Sequence, residues 1–150
     1  MNSGRISRNV LAITTFVIVL VLSLIYGLTP HKINNYTDVM SGALSFSSIA
    51  TALLFASFSL IPAFSNSRLL LALKELKTDV KLLDRLLFTT AIFVFASAFS
   101  FGGLFYSANS QSCLSLITTS AWIAFIVAGI VEMFEIIFLM FSAVQYLYSE

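Results

Sequence analysis

The chain is poor in the residues that soluble proteins place on their surfaces. Asp, Glu, Lys and Arg together make up 10% of its 150 residues, against roughly 25% in a soluble domain. That scarcity excludes an ordinary water-exposed globule. A net charge of +1 excludes a basic surface for direct nucleic-acid binding and an acidic interaction tail. The single cysteine, Cys113, excludes an intrachain disulfide. The single histidine, His31, stands without clustered Cys or Asp, so neither a transition-metal site nor a cofactor is expected. Catalytic signatures are missing too. No nucleophile–base pair or phosphate loop is legible, Gly102-Gly103 has no Gly-x-Gly-x-x-Gly around it, and no soluble segment is large enough for a catalytic cleft. The chain reads as a non-enzyme.

Apolar runs fill the rest, with 59% of residues hydrophobic and 15 phenylalanines. Crossing about 30 Å of hydrocarbon takes roughly 20 helical residues. Four segments meet that length: 9–28, 39–64, 86–106 and 121–146. The first has a basic start, Arg5 and Arg8, but its apolar stretch is too long for a cleaved leader and lacks a small-residue cleavage site. It reads as a retained anchor helix. The expected fold is all-α: a single integral domain over 1–150, a four-transmembrane-helix bundle in the lipid bilayer.

Orientation follows from Lys and Arg. Arg5 and Arg8 precede the first span, and the connector 65–85 carries Arg68, Lys74, Lys77, Lys81 and Arg85. The two remaining loops carry only Lys32. The positive-inside rule puts both termini and the connector in the cytoplasm of a bacterial inner membrane.

Within the second span Ser41, Ser45, Ser48, Ala52, Ala56, Ser59 and Ala63 recur at steps of three or four. Span three repeats the pattern with Ala96, Ser100 and Gly103. Such stripes let helix backbones approach closely in lipid. Packing of spans two and three within one subunit is the plainer expectation; a homo-oligomer interface or a serine-lined path is the sharper one. The phenylalanines at 88, 93, 95, 99, 101 and 105 read as lipid-facing or packing residues, and Pro62 as a kink.

In the connector, Leu69, Leu73, Leu76, Val80, Leu83 and Leu87 form an a/d seam. The segment could lie flat on the inner leaflet, extend spans two and three into the cytoplasm, or dock a partner. Its mixed charge favours the extension, presenting Arg68, Lys74, Lys77, Lys81 and Arg85 to a soluble cytoplasmic protein. An ordinary solvated connector is the bland alternative.

Glu132 and Glu135 lie inside the longest apolar run, 121–141. Three apart on a helix, they share a face. A carboxylate in hydrocarbon must be neutral, paired, or lining a wet cavity. With Trp122 at one interface and Tyr146 and Tyr148 at the other, both acids fall near mid-membrane. No Lys or Arg lies inside any expected span, so Thr51, Ser97 or another hydroxyl would donate; Arg85 becomes the partner if the pair sits lower. The two readings are an ion or proton site, and a protonated pair that fixes helix register.

Small multidrug transporters share four spans and a membrane carboxylate, but their essential glutamate is in the first span, where this chain has no acid. In layout the chain resembles small membrane subunits of bacterial phage-defence systems: KwaA of the Kiwa system and the phage-exclusion protein RexB. Ser41-Gly-Ala-Leu-Ser-Phe-Ser-Ser-Ile-Ala-Thr51 and Arg68-Leu-Leu-Leu-Ala-Leu-Lys74 carry the RexB likeness. The resemblance implies an anchor or sensor assembled with a cytoplasmic partner, or an ion-conducting pore that depolarises the host. It transfers no site residues.

Overall fold

The computed structural model describes residues 9–60 and 79–149. Those residues form four α-helices and no strand: α1 Val10–Ile25, α2 Tyr36–Leu60, α3 Asp79–Gly103 and α4 Cys113–Ser149, with a 3-10 turn at Pro30–Lys32. Three stretches are long and apolar enough to cross a membrane, Tyr36–Ser59, Val80–Gly103 and Cys113–Ser142.

Helix α1 is shorter than its apolar sequence promised. It has 16 residues, about 24 Å at 1.5 Å per residue. The stop is local. Gly27 takes a left-handed φ of 58°, and Gly27 N–H and Leu28 N–H bond back to the carbonyls of Leu24 and Ser23 at 3.1 Å each. This is a Schellman cap, which glycine forms without a Cβ penalty. Lys32 Nζ adds a 2.6 Å bond to the Tyr26 carbonyl, a cation at the negative helix end.

Helix α4 starts eight residues earlier than the 121 expected for its span and runs unbroken for 37 residues. Ser112 caps it, its hydroxyl accepting from Ser115 N–H at 3.2 Å. Helix α3 is already formed at Asp79, so part of the expected connector, from 79 to 85, belongs to that helix. Pro62 and most of the connector lie outside the described residues.

Helix α3 packs against α2 on one side and α4 on the other, and α1 packs along α4. Side chains of α2, α3 and α4 converge in one core: Ala50 and Leu54, Leu82, Leu86, Phe93 and Ala96, and Ile136. At the end holding the 3-10 turn, Tyr36, Met40 and Trp122 form a second cluster. Trp122 is thus buried in protein, although its position in the sequence suggested an interfacial anchor.

The small-residue stripes behave differently on the two helices. On α3, Ala96, Ser100 and Gly103 are buried as expected. On α2 the contact face is Met40, Ser47, Ala50 and Leu54. Ser41, Ser45, Ser48, Ala52, Ala56 and Ser59 are exposed, which corrects the expectation that they pack spans two and three together. Close approach comes instead from Gly103, whose added Cβ would stand 2.9 Å from Met40 Sδ, and from a 2.8 Å bond from Ser97 Oγ to Ser47 Oγ.

Phe125 of α4 joins three helices. Its ring centroid lies 4.7 Å from Phe16, 5.5 Å from Phe95 and 5.3 Å from Phe99. Beside it, Ala12, Ile13, Phe88 and Ile92 help to line an apolar groove of about 200 Å³.

Candidate functional site

The α3–α4 seam carries the ionisable groups. The two helices run antiparallel, and two contacts fix their register. Gly129 faces α3 so closely that an added Cβ would stand 2.8 Å from Phe93 Cζ and 3.2 Å from Ile92 Cγ2. Two turns further along α4, Glu135 forms an ion pair with Arg85. Between these contacts the register sets Glu132 at the level of Thr89, and both residues are fully buried.

The two glutamates therefore occupy different environments despite sharing a helix face. Glu135 retains 28% of its side-chain exposure and holds a cation. Glu132 has 0% exposure, and among the described residues neither of its carboxyl oxygens has a hydrogen-bond partner. Thr89 gives its hydroxyl to the Arg85 carbonyl at 2.7 Å. Thr51 bonds the Ser47 carbonyl and Ser97 bonds Ser47 and Phe93, so neither expected hydroxyl donor serves Glu132.

Depth follows from helix geometry. Arg85 lies 18 residues before Gly103 on α3, roughly 27 Å away along the axis. Arg85 and its partner Glu135 consequently sit about a quarter of the way along α3 from Asp79, whereas Glu132, level with Thr89, sits close to the middle of that helix. Arg85 serves Glu135 and is buried, which removes it from the expected partner-docking set. Lys81 is half-buried. Arg68, Lys74 and Lys77 lie outside the described residues, as do Leu69, Leu73 and Leu76 of the seam. Val80 and Leu87 of that seam are exposed, whereas Leu82 and Leu86 are buried; the α3 face that packs is thus not the heptad face.

A second polar group occupies the opposite end. Ser115, Thr119 and Ser120 of α4 are fully buried. The Tyr36 hydroxyl faces Thr119, although the pair makes no well-aligned hydrogen bond, and among the described residues the Ser120 hydroxyl and Trp122 Nε1 also have no partner. Buried hydroxyls in such a cluster suit bound water. Between this cluster and Glu132, the buried face of α4 carries Ala124, Ala128 and Gly129. That stretch of α4 offers no side-chain oxygen or nitrogen; at its level the facing helices carry the hydroxyls of Ser97, Ser100 and Ser47, which bond one another or backbone carbonyls.

Sequence reasoning found both acids and named Arg85 as a conditional partner. It missed the Tyr36–Thr119 cluster and Gly129. The signal for Gly129 was its place one turn before Glu132 on the same face.

Among the described residues, no group of three or more His, Cys, Asp or Glu could hold a metal ion. The fold and site define a helical protein with three helices apt to cross a membrane and a carboxylate enclosed between two of them. The chain matches no protein-family model, and no curated protein or solved structure shows significant similarity to it.

Proposed function

We propose that the protein is a non-enzymatic integral membrane subunit that associates with copies of itself through the outward face of α2. The observation that carries this reading is the exposure of Ser41, Ser45, Ser48, Ala52, Ala56 and Ser59 on a helix whose other face already serves α3. In lipid, apolar side chains gain nothing by leaving the bilayer, so association relies on close packing across small residues. Ser45 and Ser59 give their hydroxyls to carbonyls four residues earlier, so at these two positions the face is small and its donors are satisfied.

In this proposal the chain crosses a bacterial inner membrane four times with both termini in the cytoplasm, α1 supplying the shortest crossing. A soluble partner docks through Arg68, Lys74, Lys77 and Lys81, and the layout likeness to phage-defence subunits supplies the setting. Conduction is the competing reading. The enclosure of Glu132 weighs against a path through one protomer.

The test is oligomeric state in native membranes and in mild detergent. Ser45→Leu with Ala52→Leu is expected to convert cross-linked oligomers to monomers while the protein still inserts. An unchanged oligomer would remove α2 as the interface. Reversing Lys74, Lys77 and Lys81 to glutamate is expected to abolish co-purification of the soluble partner. Liposome ion flux separates the readings further: flux abolished by Glu132→Gln or Glu135→Gln would favour the pore.

A further inference from the structure

Glu132, Arg85 and Glu135 present two carboxylates to one guanidinium. Arg85 engages Glu135, while Glu132, one turn nearer Thr89 and wholly enclosed, has no hydrogen-bond partner on either oxygen among the described residues. An ionised carboxylate so placed is severely penalised unless paired. The charges facing this site are few. Helix α3 contributes Arg85, with Asp84 beside it and Lys81 a turn further out; α4 contributes Glu135; α1 has no charged residue between Val10 and Ile25, and α2 has none between Val39 and Leu60. No other described cation stands at the level of Glu132.

We propose that Glu132 is a proton-binding site and that Arg85 is shared between the two glutamates, so that the trio holds one proton. In the arrangement seen here Glu132 carries that proton as a neutral acid and Arg85 pairs with ionised Glu135. In the alternative arrangement the proton passes from Glu132 to Glu135, and Arg85 pairs with the Glu132 carboxylate left behind. The trio is neutral in both, because one carboxylate, one carboxylic acid and one guanidinium are present each time. The exchange turns Arg85 by about one helical turn along the α3–α4 seam. It thereby couples proton occupancy to contacts between those helices, which goes beyond a role in self-association.

Infrared spectroscopy of the full-length protein in lipid, with carbon-13-labelled glutamate, tests this directly. At neutral pH the wild type is expected to show the carbonyl stretch of a glutamic acid excluded from water, and Glu132→Gln to lack it. Glu135→Gln is expected to abolish the same band, because Arg85 then pairs with Glu132 and ionises it. Since Glu135→Gln is read on labelled protein whose Glu132 is intact, it stands even where Glu132→Gln fails to accumulate. Absence of the band from the wild type would overturn the proton site. A band that persists unchanged in Glu135→Gln would overturn the sharing of Arg85.

Discussion

Gly129 is where α4 comes nearest to α3, and its contact is with a side chain that has nowhere to go. A Cβ there would stand 2.8 Å from the ring of Phe93, which is fully buried. Glycine costs a helix about 1 kcal/mol relative to alanine, but overpacking a filled interior costs about 1–3 kcal/mol. Gly129→Val is therefore expected to destabilise the protein by about that amount, measured as an earlier midpoint of unfolding in mixed micelles, with Phe93→Leu restoring part of the loss. A second prediction concerns Arg85. Removing one partner of a buried pair costs about 3–5 kcal/mol, and solvent contact at Glu135 puts this case at the low end. Arg85→Leu is expected to lower stability by about 3 kcal/mol, and Arg85→Leu with Glu135→Leu to recover most of it. A double variant no more stable than the single one would show that the ion pair is not what Arg85 contributes.

Among the elements, α2 and α3 teach opposite lessons about small residues. Both carry them at helical spacing, yet only the α3 set is buried. On α2 the exposed stripe and the buried face of Met40, Ser47, Ala50 and Leu54 are neighbouring sectors of one helix. Periodicity marks a face; it does not say which surface that face meets. Met40 fits against α3 because Gly103 leaves room for its sulfur, a pairing between residues 63 positions apart. Met40→Ala is expected to open a cavity there and cost about 2–5 kcal/mol, whereas Ser45→Ala on the outward face is expected to change protomer stability by less than about 0.5 kcal/mol. Thermal unfolding of the two variants side by side checks the assignment of faces.

At the scale of the whole molecule, the membrane arrangement is set by helix lengths and by where charge lies. Helix α1, with 16 residues, falls short of the roughly 20 needed to cross 30 Å. A short crossing is accommodated by local thinning of the bilayer or by flanking residues reaching for the interface. Labelling of single cysteines with a membrane-impermeant reagent tests the proposed topology. In a Cys113→Ser background, cysteines at Ser107 and Asn34 are expected to react from outside intact cells, and a cysteine at Lys77 only after the membrane is opened. Reaction at Ser107 and Lys77 from the same side would rule out an α3 crossing between them.

The amino-acid pattern by itself determined that this is a helical protein with long apolar helices, because 59% hydrophobic composition and sparse charge leave few alternatives. It also picked out Glu132 and Glu135, since acids inside a long apolar run stand out whatever the fold. Helix ends were less legible: α1 stops at Ile25, before the expected 28, because Gly27 caps it, and helix continues past the expected boundaries at Asp79 and Cys113. Which glutamate is paired was not legible. That depended on the antiparallel register of α3 and α4, fixed by the fit of Gly129 against Phe93 and of Arg85 against Glu135. A one-turn slip would give Arg85 to Glu132 instead. The tertiary structure decided it, because steric contact between helices distant in sequence selects one register from several that helical periodicity alone allows.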